Sequence, residues 1–166
     1  GVFYVLGNHD RRATEARLKS VLADCGPVHV GNDWRQIEVN DVPLILAGNE
    51  LPWYRPAADL SDCVRESERG WPTRVLLAHS RDQFKWAQAN EIDLMLAGHL
   101  HGGQVRLPLV GAITSPSAHG VRYAAGLFRS GSTVMHVSRG VGALTPLRFN
   151  CPPEIAVLVL RSATRR

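Results

Sequence analysis

Histidines in short loops are the residues of this chain whose types and spacing suit chemistry. The sequence GHLHGG, residues 98–103, directly follows the apolar run 93–97, so His99 and His101 lie in a glycine-rich loop at the end of a predicted strand. Imidazoles two residues apart on extended backbone project toward neighbouring positions, and the flanking glycines let the chain bend closely around an ion or a phosphate. This pattern is typical of metal ligands.

Two further histidine loops follow apolar runs earlier in the chain. Residues 7–10 read GNHD and follow the run 2–6, and His79 follows the run 73–77. Ligands of open α/β sheets collect beyond the carboxyl ends of the parallel strands, so we expect the three loops to meet at one edge of a sheet. A single histidine at a strand end is usually a hydrogen-bonded loop residue, but three such loops together favour a functional site.

The order of these motifs resembles that of a known family. GNHD, a single histidine after an apolar strand, and GHLHGG resemble the third, fourth and fifth motifs of the calcineurin-like metallophosphoesterases. Residues 138–142 and 148–155 also resemble the end of a bacterial phosphodiesterase subgroup of that family. The resemblance covers nearly the whole chain. It implies an α/β sandwich of two mixed sheets flanked by helices, and a phosphoric ester hydrolase whose substrate is a phosphodiester rather than a monoester.

The resemblance also implies a role for each site residue by its position. Asn8, His79 and His99 would bind one metal ion, and His101 would bind the other. His9 would be the catalytic acid beside the leaving group, with Asp10 as the residue that orients it. The implied cofactors are two divalent transition-metal ions (Mn, Fe, Zn or Ni), and a hydroxide shared by this dinuclear centre would attack phosphorus.

Two motifs of the family are absent from the sequence. No Asp is followed two residues later by His, and no Gly is followed directly by Asp, so neither D-x-H nor G-D-x-x-D occurs. We therefore expect residues 1–166 to be a single domain that is the C-terminal portion of a metallophosphoesterase domain, incomplete at the N-terminus. A missing N-terminal segment is then expected to complete the fold. In this chain alone we expect one bound ion rather than two, and impaired hydrolysis.

Two other functions remain open for the same residues. A noncatalytic scaffold or binding module would retain the fold without the metal centre; the missing motifs favour it, whereas the intact histidine loops do not. A structural zinc site held by His79, His99 and His101 lacks the cysteine ligands that such sites usually contain.

Composition limits the remaining possibilities. The 166 residues are 45% hydrophobic and 20% charged, as expected for a globular domain with its own core. The net charge of +4 is mild and its basic residues are scattered, so there is no strong signal for nucleic-acid binding. The longest apolar run, residues 155–160, is far shorter than the roughly 18 residues of a membrane span. Three widely spaced cysteines predict reduced thiols, and we expect a protein that is cytoplasmic or peripheral to the membrane. N-terminal targeting is not visible in this sequence, because a targeting segment would belong to the missing N-terminal part.

The apolar periodicity predicts the elements that position the loops. In the first half it predicts a strand at 2–6, a helix over 13–24, a strand at 28–30 and a hairpin of 34–39 with 44–47. A strand at 73–78, a helix over 82–90 and a strand at 93–97 form a β-α-β pattern, which predicts parallel strands. A helix over 59–68 is predicted in a surface segment. Short apolar runs at 104–107, 121–124, 133–138 and 155–160 predict a second, more antiparallel sheet, and the four tryptophans are expected to pack.

Overall fold

A six-stranded mixed sheet is the centre of this α/β structure. The structure is a computed structural model, which describes residues 1–12, 15–63, 71–113, 120–143 and 146–161. The strands are β1 (Phe3–Tyr4), β2 (Val28–His29), β3 (Trp34–Val39), β4 (Val42–Asn49), β5 (Thr73–Ser80), β6 (Leu94–Gly98), β7 (Arg106–Leu107), β8 (Gly111–Ala112), β9 (Gly126–Ser130) and β10 (Thr133–Val137). The helices are α1 (Glu15–Asp24) and α2 (Phe84–Ala89), and 3-10 turns cover Asp10–Arg12, Arg81–Gln83 and His101–Gly103.

The central sheet has the strand order β3-β4-β5-β6-β10-β9. Its four inner strands are parallel, and the edge strands β3 and β9 are antiparallel to their neighbours. The predicted hairpin is confirmed as β3 and β4, and the predicted β-α-β unit is confirmed because α2 connects the parallel neighbours β5 and β6. The carboxyl ends of β5 and β6 therefore lie side by side, with His79 in the first and His99 directly after the second.

Apolar residues alternate along the central strands and build a core on each face of the sheet. Leu76 and Met95 point to the face covered by α2, where Phe84 is buried with them. Val75 points to the other face, where it packs with Phe3 of β1. Successive side chains of a strand point to opposite faces, so a strand that is buried on both sides is apolar throughout.

Two short strand pairs accompany the central sheet. β1 and β2 form a parallel pair that packs on the face opposite α2, and β7 and β8 form an antiparallel pair. The predicted first strand at 2–6 is shortened to Phe3–Tyr4, because these two residues are the ones that pair with β2. The Gly7–Asp10 loop follows directly from this pair.

The prediction of a second, more antiparallel sheet is wrong for the strands after residue 120. β10 pairs parallel with β6, and β9 pairs with β10, so both extend the central sheet. The predicted strand at 121–124 is a turn, in which Ala124 N–H donates to Val121 O at 3.2 Å. Residues 155–160 join no strand ladder among the described residues, because an apolar run becomes a strand only where a neighbouring backbone hydrogen-bonds to it.

The helices are shorter than predicted. α1 and α2 confirm the predicted helices over 13–24 and 82–90, although residues 13–14 lie outside the described part of the chain. The predicted helix over 59–68 is wrong at its start, because Asp59 Oδ1 accepts from Ser61 N–H at 2.9 Å and Cys63 N–H donates to Leu60 O at 3.1 Å, which forms a turn in place of a helix; residues 64–70 are not described. Neither described helix has the length and apolarity needed to span a membrane.

Gly48 occupies a position in β4 where a side chain would meet backbone. A Cβ atom at Gly48 would lie 1.9 Å from Val30 O, a contact that no side-chain rotation relieves. We expect Gly48→Ala to destabilise the fold by about 2–3 kcal/mol, at the upper end of the usual cost of overpacking. Gly98→Ala in β6 is the matched control, because a Cβ there meets no atom within 4 Å. Thermal unfolding should give a clearly lower Tm for Gly48→Ala than for Gly98→Ala, and equal values would contradict the prediction.

Candidate metal centre

The Gly7–Asp10 loop is closed by one of its own carboxylates. Gly7 N–H donates to Asp10 Oδ2 at 2.6 Å, and Asp10 N–H donates to Gly7 O at 3.2 Å. Gly7 also lies directly against the His79 ring, because a Cβ atom at Gly7 would be 2.6 Å from His79 Cε1. The absence of a side chain at position 7 thus lets the loop bring Asn8 to the carboxyl end of β5.

Three candidate ligand atoms from three loops converge at this place. Asn8 Oδ1 lies 2.9 Å from His79 Nε2, and His79 Nε2 lies 3.1 Å from His99 Nδ1. Two ligand atoms that each lie about 2.1 Å from one ion at right angles are separated by about 3 Å. The two distances from His79 Nε2 therefore match the spacing between neighbouring ligands of a single ion.

The GHLHGG loop reaches this position through left-handed backbone. φ is +73° at His99 and +51° at His101, and it is also positive at the two glycines that follow. Left-handed backbone at a non-glycine residue costs about 1–3 kcal/mol, and such residues cluster at active sites and ligand-binding loops. Gly102 has no room for a side chain, since a Cβ there would lie 2.5 Å from Cys151 Sγ.

Burial keeps the two convergent imidazoles neutral. The pKa of His79 is lowered from 6.5 to about 4, first by desolvation and then by the neighbouring His99. The pKa of His99 is also lowered, with desolvation as the largest cause. A metal ion binds only the unprotonated nitrogen of an imidazole, so both side chains are in the ligand form at neutral pH.

The low pKa of His79 predicts how the metal-free protein responds to acid. The folded-state pKa lies below the usual value of 6.5, so the unfolded chain takes up this proton first as the pH falls. The contribution to stability is therefore complete above about pH 6.5 and decreases toward pH 4. We expect Tm to fall between pH 7 and pH 5, and the His79 ring to titrate by NMR well below 6.5. An ordinary His79 titration near 6.5 would show that the ring is not desolvated.

Trp53 packs against both convergent imidazoles. Its ring centroid lies 5.1 Å from that of His79 and 4.8 Å from that of His99. The expectation that tryptophans pack thus holds for Trp53, but its packing partners are candidate ligands rather than core residues. An apolar ring at this distance excludes water from one side of the two imidazoles and fixes their orientation.

A cavity of about 460 Å³ opens beside His79 and contains most of the predicted site. It is lined by Gly7, Asn8, His9, Asp10, His79, His101, Gly142 and Ala143. Five of the six predicted site residues therefore border one cavity. The sixth, His99, does not border it but contacts His79, which does. His9 is exposed and His101 is partly buried.

Among the described residues, one of the two predicted ions has three candidate ligands and the other has one. No group of three or more His, Cys, Asp or Glu side chains among them has the geometry of a metal cluster. The convergent set instead consists of two imidazoles and one amide oxygen, and His101 lines the same cavity as Asn8 and His79. The Asp10 carboxylate contacts the backbone of Gly7, and its described contacts do not include the ring of His9, which it was expected to orient.

Glu50 is the residue of this region that sequence reasoning missed. Its carboxylate is buried, with an exposed fraction of 2%, and it accepts from the N–H of Leu6, directly before the Gly7–Asp10 loop. A single acidic residue after an apolar strand carries no spacing signal. The hint available was its position at the carboxyl end of β4, the same sheet edge as the three histidine loops.

Comparison with known proteins finds similar sequences. The chain is 46% identical over 161 residues to phosphodiesterase YaeI of Escherichia coli, covering 95% of this chain and 57% of that protein. It is 32% identical over 172 residues to the uncharacterized metallophosphoesterase YkuE of Bacillus subtilis, covering 98% of this chain and 57% of that protein. It is also 32% identical over 91 residues to the UDP-2,3-diacylglucosamine pyrophosphatase LpxG of Chlamydia trachomatis, covering 51% of this chain and 28% of that protein.

The chain thus spans 57% of the length of the first two relatives. No protein-family profile matches the sequence. No solved structure matches it either.

Proposed function

This chain belongs to the calcineurin-like metallophosphoesterase family, and we propose that its three histidine loops serve a metal-dependent phosphoric ester hydrolase that acts on phosphodiesters. The observation that carries the proposal is the convergence of three candidate donors: His79 Nε2 lies 2.9 Å from Asn8 Oδ1 and 3.1 Å from His99 Nδ1. The phosphodiester class is taken from the name of the Escherichia coli relative.

The donor set fits a divalent transition-metal ion. Imidazole nitrogen suits Mn, Fe, Zn and Ni, and an amide oxygen suits the harder members of that group. In our proposal Asn8, His79 and His99 hold one ion, and His101 belongs to a second. Such ions, when bound, would polarise a phosphoryl oxygen and lower the pKa of a coordinated water.

His9 and Asp10 would serve the leaving group. His9 is exposed at the cavity wall, where its ring can donate a proton to the oxygen that departs from phosphorus. Asp10 holds the backbone turn from which His9 projects, so it would position that ring through the loop rather than by the direct bond expected from the sequence. No covalent bond between protein and phosphate is needed.

The arrangement of layers in the whole fold belongs to the same proposal. The β1–β2 pair packs on the face of the central sheet opposite α2. We take this pair as part of the second mixed sheet of the family's sandwich. Exposed apolar residues at 155–160 lie on this side too, with Leu158 and Leu160 bordering a cavity that also contacts Phe3.

We expect the 166-residue chain by itself to hydrolyse phosphodiesters weakly. Its convergent ligands are neutral, and no carboxylate among the described residues joins them to offset the repulsion between two ions. One bound ion per chain is the expected stoichiometry, against two in a complete centre.

Metal removal tests the proposed function. We expect the full-length natural protein to bind Mn²⁺, to hydrolyse bis(4-nitrophenyl) phosphate, and to lose that hydrolysis on chelation and regain it when Mn²⁺ is restored. The metal content and the rate are measured on the same sample. Hydrolysis that survives chelation would contradict the proposal, and the absence of both metal and hydrolysis would favour a noncatalytic scaffold.

A further inference from the structure

We propose that Glu50 is a positioning residue of the candidate metal centre, whose buried carboxylate sets the place of the Gly7–Asp10 loop relative to His79. This inference rests on the proposed function for its catalytic meaning. Glu50 is not a candidate ligand, since its described contacts are to backbone and to His29 rather than to the convergent donors. It acts through the loop that carries Asn8.

The first observation is the contact to the loop. Glu50 Oε1 accepts from Leu6 N–H at 2.5 Å, and Leu6 is itself almost fully buried. The residue after Leu6 is Gly7, whose backbone lies against the His79 ring. A shift of Leu6 would therefore move Asn8 relative to the imidazole that it meets at 2.9 Å.

The second observation is that Glu50 is itself held from several sides. Its Oε1 lies 2.8 Å from His29 Nε2, and its backbone N–H donates to Asn32 Oδ1 at 3.0 Å. The carboxylate needs the space at Gly31, because a Cβ there would lie 2.1 Å from Oε1. A buried carboxylate with this many fixed partners is a rigid reference point and not a surface group that adapts to its surroundings.

The third observation connects Glu50 to the opposite side of the ligands. Its carbonyl oxygen accepts from Trp53 N–H at 3.1 Å and from Tyr54 N–H at 3.2 Å, which forms the turn that presents Trp53. The Trp53 ring packs on His79 and His99. One residue thus supports the loop that supplies Asn8 and also begins the turn whose ring packs against the imidazoles.

Two variants and a matched control test this role. Glu50→Ala removes the acceptor, whereas Glu50→Gln keeps a side-chain oxygen that can accept from Leu6 N–H. Asp93→Ala is the control, because Asp93 Oδ2 also accepts a backbone N–H, that of Arg74 at 2.8 Å, but at the start of β5, away from its His79 end. Thermal unfolding of each variant confirms that the compared proteins are folded.

The first measurement is the affinity for Mn²⁺, followed through the spin-resonance signal of free Mn²⁺. Loss of a partner that supports a ligand costs about 10–100-fold in metal affinity, and we expect that loss for Glu50→Ala. We expect most of the affinity to return in Glu50→Gln and no change in Asp93→Ala. Unchanged affinity in folded Glu50→Ala would overturn the inference, as would an equal loss in Asp93→Ala.

The second measurement needs no metal and separates this inference from the proposed function. In the metal-free protein we expect Glu50→Ala to shift the NMR signals of the Asn8 side-chain amide and the His79 ring, and Asp93→Ala to leave both in place. If these shifts occur although the wild-type protein binds no Mn²⁺, the proposed function fails and the positioning role stands. If neither signal moves, Glu50 does not position the loop.

Discussion

Replacing His79 by alanine is expected to remove the metal and to lower kcat/KM for a phosphodiester by roughly a thousandfold or more, as for the loss of a Lewis acid worth about 4 kcal/mol. His79 is the central member of the convergent set, because its Nε2 lies near both Asn8 Oδ1 and His99 Nδ1. Without it the two remaining donors have no common neighbour. Metal content per chain and hydrolysis of bis(4-nitrophenyl) phosphate are the measurements.

The control for this variant is another histidine of the same sheet. His136 lies in β10, is partly buried, and is outside the three histidine loops. We expect His136→Ala to keep both the bound metal and the activity, even if it lowers Tm. A His79→Ala protein that retains wild-type metal content would show that the convergent set is not the metal site.

Replacing His9 by alanine is expected to lower kcat by about 10²–10⁴-fold while the metal stays bound, which is the usual contribution of a general acid. His9 borders the cavity but is not one of the three convergent donors. The loss should depend on the leaving group: it should be large for an alkoxide or a poor phenolate, and small for 2,4-dinitrophenolate, which departs without a proton. The measurement is kcat for a series of esters together with metal content.

The leaving-group series also distinguishes His9 from a substrate-binding residue. A residue that only binds substrate would change KM for every ester by a similar factor. We expect kcat of His9→Ala to become much more sensitive to the leaving-group pKa than that of the wild type. An equal loss for good and poor leaving groups would contradict the role of acid, whatever the size of that loss.

These two variants examine residues that were identified from sequence, and the structure adds their spatial relation. The parallel strands β5 and β6 were predictable from the β-α-β pattern of apolar residues, and so was the position of His79 and His99 at their ends. The hairpin of β3 and β4 was predictable for the same reason. In each case the pattern is local, and the hydrogen-bonding partner is close along the chain.

Predictions of secondary structure failed for three reasons: a strand partner distant in sequence, an apolar run without a strand partner, and a side chain that hydrogen-bonds its own backbone. β10 joins β6 across more than 30 residues of chain, so no local pattern indicates that it extends the central sheet. Residues 155–160 have the composition of a strand but find no ladder partner among the described residues. At 59–63 the side chain of Asp59 hydrogen-bonds its own backbone turn, which competes with helix formation.

The sequence by itself determined which side chains are present for chemistry and in what order: an amide, a histidine and an aspartate in one loop, and three histidines in two others. It also determined that these loops end strands, because the period of apolar residues encodes local backbone conformation. Only the tertiary structure decided that Asn8, His79 and His99 converge, that His101 lines the same cavity as Asn8 and His79, and that Glu50 and Trp53 flank the site. Distances between residues so far apart in the chain depend on strand register and on the packing of side chains on both faces of the sheet. The local periodicity of apolar residues determines neither of these.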